Sequence, residues 1–361
     1  MQKAQHQPQG KPSRRNFLGT AAFGLAAAAE LAWVGAAHAQ SVRDAQPGAG
    51  PSAGASSSRA GFGALRQIDA GLLNVGYAEA GPAHGPVVIL LHGWPYDIHS
   101  FADAAPMLAS AGYRVIVPHL RGHGSTRFLS SETLRNGQQA VVALDIIALM
   151  DALKIQKAVI GGFDWGARTA NIIAAKWPER CTAMVSVGGY LINNREAIKA
   201  PLPPTAEYAW WYQYYFATEH GRTGYDKYRR DFAKLIWQTA SPKWVFDDAV
   251  FDRSAASFDN PDHVDVVIHN YRWRQSLAEG EAKYDELESQ LAAGPTIAVP
   301  TIVLEGDANG APHAASDAPY RKKFSGKYAW RVITGGIGHN LPQEAPKAFA
   351  DAVLEVAREG S

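Results

Sequence analysis

Ala158-Val159-Ile160-Gly161-Gly162-Phe163-Asp164-Trp165-Gly166-Ala167-Arg168 is the stretch that decides how this chain folds. Its first three residues are small or β-branched, as in a strand covered on both faces, and from Trp165 to Trp177-Pro178 the sequence runs as a helix. Between the two the backbone reverses within a few residues, and Gly162 and Gly166 flank the acid because so tight a turn has no room for side chains there. A carboxylate in that place sits at a helix N-terminus, where unpaired amides and the helix dipole favour its ionised form. Alone, Gly-x-Asp-x-Gly also describes an ordinary turn with a capping aspartate; set between a strand and a helix it points to a reactive acid.

Outward from this turn, short apolar runs at 87–91, 113–117, 158–161, 183–187, 301–304 and 328–333 end in glycine or polar residues. Helical segments separate them, and 138–153 keeps Val141, Val142, Leu144, Ile147 and Leu149 at helical spacing. That alternation predicts an α/β fold with a mostly parallel sheet and helices on both faces. The pattern breaks over 190–294, which is aromatic and charged and reads as an inserted helical cap. The organisation is therefore a core of 62–189 and 295–361 with the cap of 190–294 between its two parts. Open α/β sheets bind ligands at the carboxyl ends of their strands, so the cap would roof the site.

Composition narrows the function. Of 361 residues, 47% are hydrophobic and 19% charged, the mix of a folded protein. The net charge is +1 without a run of either sign, which argues against nucleic acid as a partner. The single cysteine, Cys181, excludes a disulfide framework and any multi-cysteine metal site, and reads as a small buried hydrophobe. Asp262, His263 and Asp265 read as solvated residues, and Gly335 to Gly338 lack the following acid of a dinucleotide site, so neither metal nor cofactor is expected.

At the other end, Ser13-Arg14-Arg15-Asn16-Phe17-Leu18, a mildly apolar stretch and Ala37-His38-Ala39 read as a twin-arginine signal over 1–39. The expected partner is the twin-arginine export machinery, and the expected location periplasmic or secreted, with no stable membrane insertion after cleavage. Residues 40–61, rich in Gly, Ser, Ala and Pro, read as a flexible leader.

Two further motifs converge on Asp164. A strand-to-helix turn of this kind is a nucleophile elbow with aspartate in place of serine, and a carboxylate needs no base to attack. Leu91-His92-Gly93-Trp94-Pro95 follows an earlier strand, so the backbone N–H groups of Trp94 and Trp165 are the expected oxyanion-hole donors, with His92 shaping the loop. His339, in Gly335-Gly336-Ile337-Gly338-His339-Asn340 after the last strand, is the expected general base. Arg121-Gly122-His123-Gly124-Ser125 reads as a structural loop.

From Phe62 to Leu354 the chain resembles the α/β-hydrolase superfamily, in its aspartate-nucleophile branch of epoxide hydrolases and dehalogenases. Its His-Gly-Trp-Pro and Asp-Trp-Gly motifs are similar to those of epoxide hydrolases. The resemblance implies a cofactor-free hydrolase that opens a small apolar epoxide to a vicinal diol through an ester on Asp164. It also implies ring-opening phenols. Tyr212-Gln213 matches a Tyr-Gln pair of that family and Asn270-Tyr271-Arg272 its second tyrosine segment, although seven of residues 207–216 are aromatic and equally suit a cap core. Where the family places its relay acid, Gly306-Asp307-Ala308-Asn309 carries an amide, and the alternative position is Gly188. Asp307 is therefore expected to reach His339 through a shifted loop, the alternative being Asn309 orienting the ring without charge. Arg168, where neutral residues are usual, is expected at the helix surface or in a salt bridge; an arginine there is also one half of a carboxylate clamp in fluoroacetate dehalogenases. Two rival readings remain: a haloalkane or haloacid dehalogenase with Trp165 and Trp210 or Trp211 on the halide, and a ligand-binding protein without turnover.

Overall fold

A computed structural model of the chain describes residues 62–360. The segments read as export signal and leader lie outside the described residues.

The sheet is built from β1 (Arg66–Ala70), β2 (Leu73–Ala80), β3 (Val87–Leu91), β4 (Arg114–Pro118), β5 (Arg127–Phe128), β6 (Ala158–Phe163), β7 (Cys181–Val187), β8 (Thr301–Gly306) and β9 (Tyr328–Ile333). Among the described residues these form one sheet in the order β1-β2-β4-β3-β6-β7-β8-β9, with β5 pairing on β2. Pairing is parallel from β4 through β9 and antiparallel around β2. Each apolar run of the sequence becomes one of the parallel strands. The β1–β2 hairpin carries no such run: Asp69, Asn74 and Gly76 interrupt the apolar alternation that announces a strand.

Period-two side chains divide the interior into two cores. Ile89, Leu91, Ile116 and Ile160 face one way, toward helices α2 (Gln139–Ala152) and α3 (Trp165–Lys176) once α1 (Ala104–Ser110) is counted on the opposite face. Val88, Leu90, Val115 and Val159 face the other way, against α1 and the helix that closes the chain. The described residues between β7 and β8 hold no strand and seven helices: α4 (Arg195–Ile198), α5 (Pro204–Ala209), α6 (Trp211–Phe216), α7 (Glu219–Ala240), α8 (Asp248–Ala255), α9 (His263–Arg274) and α10 (Asp285–Ala292). After β9 come α11 (Leu341–Glu344) and α12 (Pro346–Glu359). Cys181 is buried and unpaired with another cysteine.

Four imidazoles join the core to the cap helices. His92, His119, His123 and His263 are all buried, with ring centroids 4.9 Å apart for His92 and His123 and 4.7 Å for His123 and His263. His92 donates from Nδ1 to the Gly93 carbonyl at 2.9 Å and accepts the Leu120 N–H on Nε2 at 3.1 Å, which is how it shapes its loop. Burial, and for His92 and His263 repulsion from His123, hold these rings below their ordinary value; His119 and His123 come down to about 4. They are neutral in the fold. Between about 4 and the ordinary value near 6.5 the unfolded chain takes up protons that the folded one refuses, so stability is full above that window and falls as pH drops through it. Chemical denaturation from pH 7.5 to 4.5 should show the unfolding free energy falling once pH drops below about 6.5, by about 1.4 kcal/mol per pH unit for each such imidazole. A flat profile would contradict this account.

Candidate active site

Asp164 closes β6 and opens α3 with φ 53° and ψ −120°, a conformation that β-carbon sterics disfavour in any residue but glycine. The turn leaves no space on either side. A Cβ on Gly166 would lie 1.9 Å from the Leu91 carbonyl oxygen, and one on Gly93 would lie 2.4 Å from the Asp164 Cβ. The acid is thereby pushed into the cleft above the strand ends, where its Oδ1 accepts the Trp94 N–H at 2.9 Å. Trp165 opens α3, so its own N–H has no acceptor within the helix.

Oδ2 of Asp164 lies 3.6 Å from Nε2 of His339, and the two side chains keep 21% and 19% of their surface open. A small molecule can reach both. Burial pushes the Asp164 carboxyl up, but His339, Arg168 and the Trp94 N–H outweigh it and hold the group below the usual carboxylate value. Burial pushes His339 down, and Asp164, Glu305 and Glu344 together overcome that and raise it. Each partner thus favours the charged form of the other.

The structure corrects the expected relay. Asp307 does not reach His339: its carboxylate faces solvent and accepts the N–H groups of Gly335, Gly336 and Ile337 at 2.8–3.0 Å, an anion pinned in the glycine turn that those amides themselves form. Asn309 meets the imidazole instead, with Oδ1 accepting from His339 Nδ1 at 3.3 Å. The Asn309 amide in turn donates to Glu305 Oε1 at 2.8 Å. Glu305 is buried at the end of β8, and burial raises its carboxyl. The His339 loop is anchored from below by Glu344, which accepts the Ser241 hydroxyl and the N–H groups of Gly338 and Asn340.

Across the cleft, α6 and α9 bring Tyr212 and Tyr271 together, ring centroids 5.4 Å apart. Both lie against Trp94, at 5.3 and 5.1 Å, and Tyr271 is 6.0 Å from the Trp165 ring. Burial first, and the Asp164 charge after it, raise both phenols, so both carry their protons at neutral pH. Trp94 is held in turn by its indole N–H on the Tyr225 hydroxyl at 2.9 Å, which bonds His263 Nε2 at 2.8 Å, whose Nδ1 donates to the Gly122 carbonyl. Tyr225 and His263 carry no motif in the sequence, because each acts through partners far along the chain, while Glu305 and Glu344 bond residues four to six positions away in irregular loops that no spacing rule describes.

Arg168 is a second correction. It is neither at the surface nor in a salt bridge: it is 7% exposed, and no ion pair reaches it among the described residues. Among the described residues, no three His, Cys, Asp or Glu side chains gather to hold a metal. Asp262 instead pairs with Arg135 at 2.8 Å.

The sheet order, the acid on a left-handed strand-to-helix elbow and the facing histidine have the layout of an α/β hydrolase. A family model for the alpha/beta hydrolase fold matches residues 86–307. The chain belongs to that family, as an epoxide hydrolase-like member. A provisionally assigned epoxide hydrolase structure from Klebsiella pneumoniae subsp. pneumoniae MGH 78578 is 58% identical, covers 81% of this chain and 97% of its own, and superposes with a TM-score of 0.80. Epoxide hydrolase B of Mycobacterium tuberculosis is 32% identical over 151 residues, 38% of this chain and 41% of that protein. The chain thus spans less than half the length of that curated relative. Epoxide hydrolase A of the same organism is 25% identical over 317 residues, 80% of this chain and 96% of that protein.

The strain at the elbow is measurable. Asp164→Gly and Asp164→Ala both delete the carboxylate, but only alanine keeps a Cβ in the disfavoured conformation. Glycine in place of alanine ordinarily costs about 0.5–1 kcal/mol; here the sign should reverse, with relief of about 1–3 kcal/mol making the glycine variant the more stable in urea. An alanine variant at least as stable as the glycine variant would refute the strain.

Proposed function

We propose that this protein hydrolyses epoxides to vicinal diols through an ester on Asp164. The observation that carries this reading is an ionised carboxylate on the elbow facing two phenols that stay protonated. Asp164 attacks an oxirane carbon, and Tyr212 and Tyr271 hydrogen-bond the opening oxygen and supply its proton. His339 then takes a proton from water, which attacks the Asp164 carbonyl carbon. The N–H groups of Trp94 and Trp165 hold the oxyanion until the diol leaves. The epoxide hydrolases among the similar proteins support the substrate class.

A second reading keeps the same nucleophile and exchanges an epoxide oxygen for a halide; it is favoured by the Trp165 indole N–H, which is buried without an acceptor. One experiment separates the two. His339→Gln, incubated with styrene oxide or 1-bromobutane and analysed by intact mass, should gain the mass of the whole epoxide on Asp164 and nothing from the haloalkane. An alkyl increment from the haloalkane alone would replace the epoxide reading with dehalogenation, and no adduct with either would remove the ester. Exchange of both tyrosines for phenylalanine should lower epoxide kcat/KM by about 10²- to 10⁴-fold.

We also propose export in the folded state by the twin-arginine route, supported by Arg14-Arg15 and Ala37-His38-Ala39. Replacing both arginines with lysine should leave the protein in the cytoplasmic fraction; unchanged fractionation would remove this part of the reading.

A further inference from the structure

In the second step of the reaction proposed above, His339 takes a proton from water and becomes positive while Asp164, held as an ester, carries no charge. Whatever stabilises that imidazolium must stand elsewhere. The ionisable groups facing the ring are Asp164 on the elbow, Glu305 at the end of β8, Glu344 in α11 and, 6.1 Å away between centroids, Tyr96 in the loop after β3. Burial keeps the Tyr96 phenol protonated, so it offers no charge. Glu344 is engaged by the Ser241 hydroxyl and the N–H groups of Gly338 and Asn340, where it holds the loop. Glu305 is attached differently: its Oε1 accepts the Asn309 amide at 2.8 Å, and the oxygen of the same amide meets His339 Nδ1 at 3.3 Å.

That amide cannot turn round. Its Oδ1 also accepts the Ala311 N–H at 3.0 Å, which fixes the oxygen toward His339 and the nitrogen toward Glu305. An acceptor at Nδ1 keeps the ring proton there and leaves the Nε2 lone pair facing Asp164. Backbone laces the two loops together: the Ala308 N–H donates to the Ile337 carbonyl at 2.8 Å, and the Ala240 carbonyl at the end of α7 accepts both the Gly310 and the His339 N–H. Glu305 itself is 4% exposed and forms no ion pair among the described residues. Burial raises its carboxyl, and His313, the Asn309 amide and His339 work against that; burial and then the Glu305 charge raise the neighbouring Tyr320 phenol. A glutamine in that place could accept the Asn309 amide without the desolvation a carboxylate suffers, so the hydrogen bond alone gives no reason for an acid. A charge needed by the ring does.

We propose that Glu305 is a positioning residue for ester hydrolysis: acting through the Asn309 amide, its carboxylate stabilises the His339 imidazolium that forms when Nε2 takes a proton from water. The inference rests on the ester reading for the step it names. Neither Asn309 nor Glu305 gives or takes a proton. Nδ1 keeps its own, Nε2 gains the proton of the water, the hydroxide adds to the Asp164 carbonyl carbon, and the proton leaves with the diol when the tetrahedral adduct collapses. The anion behind the amide polarises it, so that Oδ1 is a stronger acceptor for the Nδ1–H of a charged ring.

Glu305→Gln keeps an oxygen for the Asn309 amide and removes the charge. In single turnovers with styrene oxide, quenched and read by intact mass, the ester should form within about threefold of the native rate and decay about tenfold more slowly. The acid limb of the decay rate against pH should move to lower pH, since a ring without that anion gives up its proton more readily; a residue that merely props the loop would lower the rate without moving the limb. Adding Asn309→Asp to Glu305→Gln sets a carboxylate directly on Nδ1 and should restore the decay rate, and a double variant as slow as the single one overturns the inference. A second measurement needs no substrate. In Asp164→Asn, whose elbow is uncharged as in the ester, the His339 midpoint followed by NMR of labelled histidine should fall by about one pH unit when Glu305→Gln is added. A midpoint that stays in place overturns the inference, as does a Glu305→Gln protein that slows ester formation and decay alike. Failure of the ester reading looks different: styrene oxide leaves no adduct on either protein, while the NMR comparison still decides whether the Glu305 charge reaches the ring.

Discussion

A carboxylate kept ionised inside a protein is the constraint on which the rest of this site depends. Desolvation alone would push the Asp164 carboxyl up, and the fold opposes it with three separate groups: an imidazole from the loop after β9, a guanidinium one turn along its own helix and a backbone N–H from the loop after β3. Only the guanidinium is placed by the local chain; the amide and the imidazole come from loops far away in sequence. The left-handed elbow lifts the acid to where all three reach it, and the two flanking close approaches, of Leu91 to Gly166 and of Gly93 to Asp164, remove any alternative course for the backbone. The strain of the elbow is therefore balanced by electrostatics that exist only in this conformation.

The same arrangement couples the two chemical steps proposed for the protein. While Asp164 is charged, it raises His339 and favours imidazolium, a poor base. Ester formation removes that charge. The imidazole then loses its main reason to hold a proton and becomes a base at the moment when a water must be activated. The tyrosines follow the opposite course: the Asp164 carboxylate helps to keep them protonated until the oxirane oxygen needs a donor, and its disappearance as the ester forms makes their loss of a proton easier. One change of charge thus shifts three groups in useful directions.

How much of this could be read from residues follows from how local each feature is. The parallel strands, the elbow, the Trp94 loop and the histidine at 339 facing the elbow each announce themselves within a few consecutive residues, through β-branched runs, glycine spacing and chain order, and the structure has them where those signals fall. Asp307 misled because its spacing from Gly306 differs by only two residues from that of Asn309, and proximity in sequence says nothing about which one the turn of Gly335 to Ile337 captures. Arg168 misled for a related reason. A charged residue on a helix is ordinarily solvated, and only the folded cap reveals that this one is covered. The supports from Tyr225 and His263 are tertiary throughout; no spacing rule links α7 and α9 to the loop after β3.

The amide at 309 is best understood together with Glu305. An aspartate at 309 would stand at hydrogen-bond distance from the Glu305 carboxylate, and two such groups in a buried place cannot both ionise. Glutamate at the end of β8 and an acid on His339 could therefore not both be charged, and this chain has the pair that satisfies both neighbours: the Asn309 amide nitrogen donates to the buried acid while its oxygen accepts from the imidazole. The orientation of His339 is preserved, since Nδ1 still finds an acceptor and Nε2 still faces Asp164. What the ring lacks is a charge in direct contact behind it. Its stabilisation as imidazolium rests first on Asp164, with Glu305 and Glu344 acting from further away, so the protonation of His339 is governed more directly by the charge of Asp164 than that of an imidazole backed by a touching carboxylate.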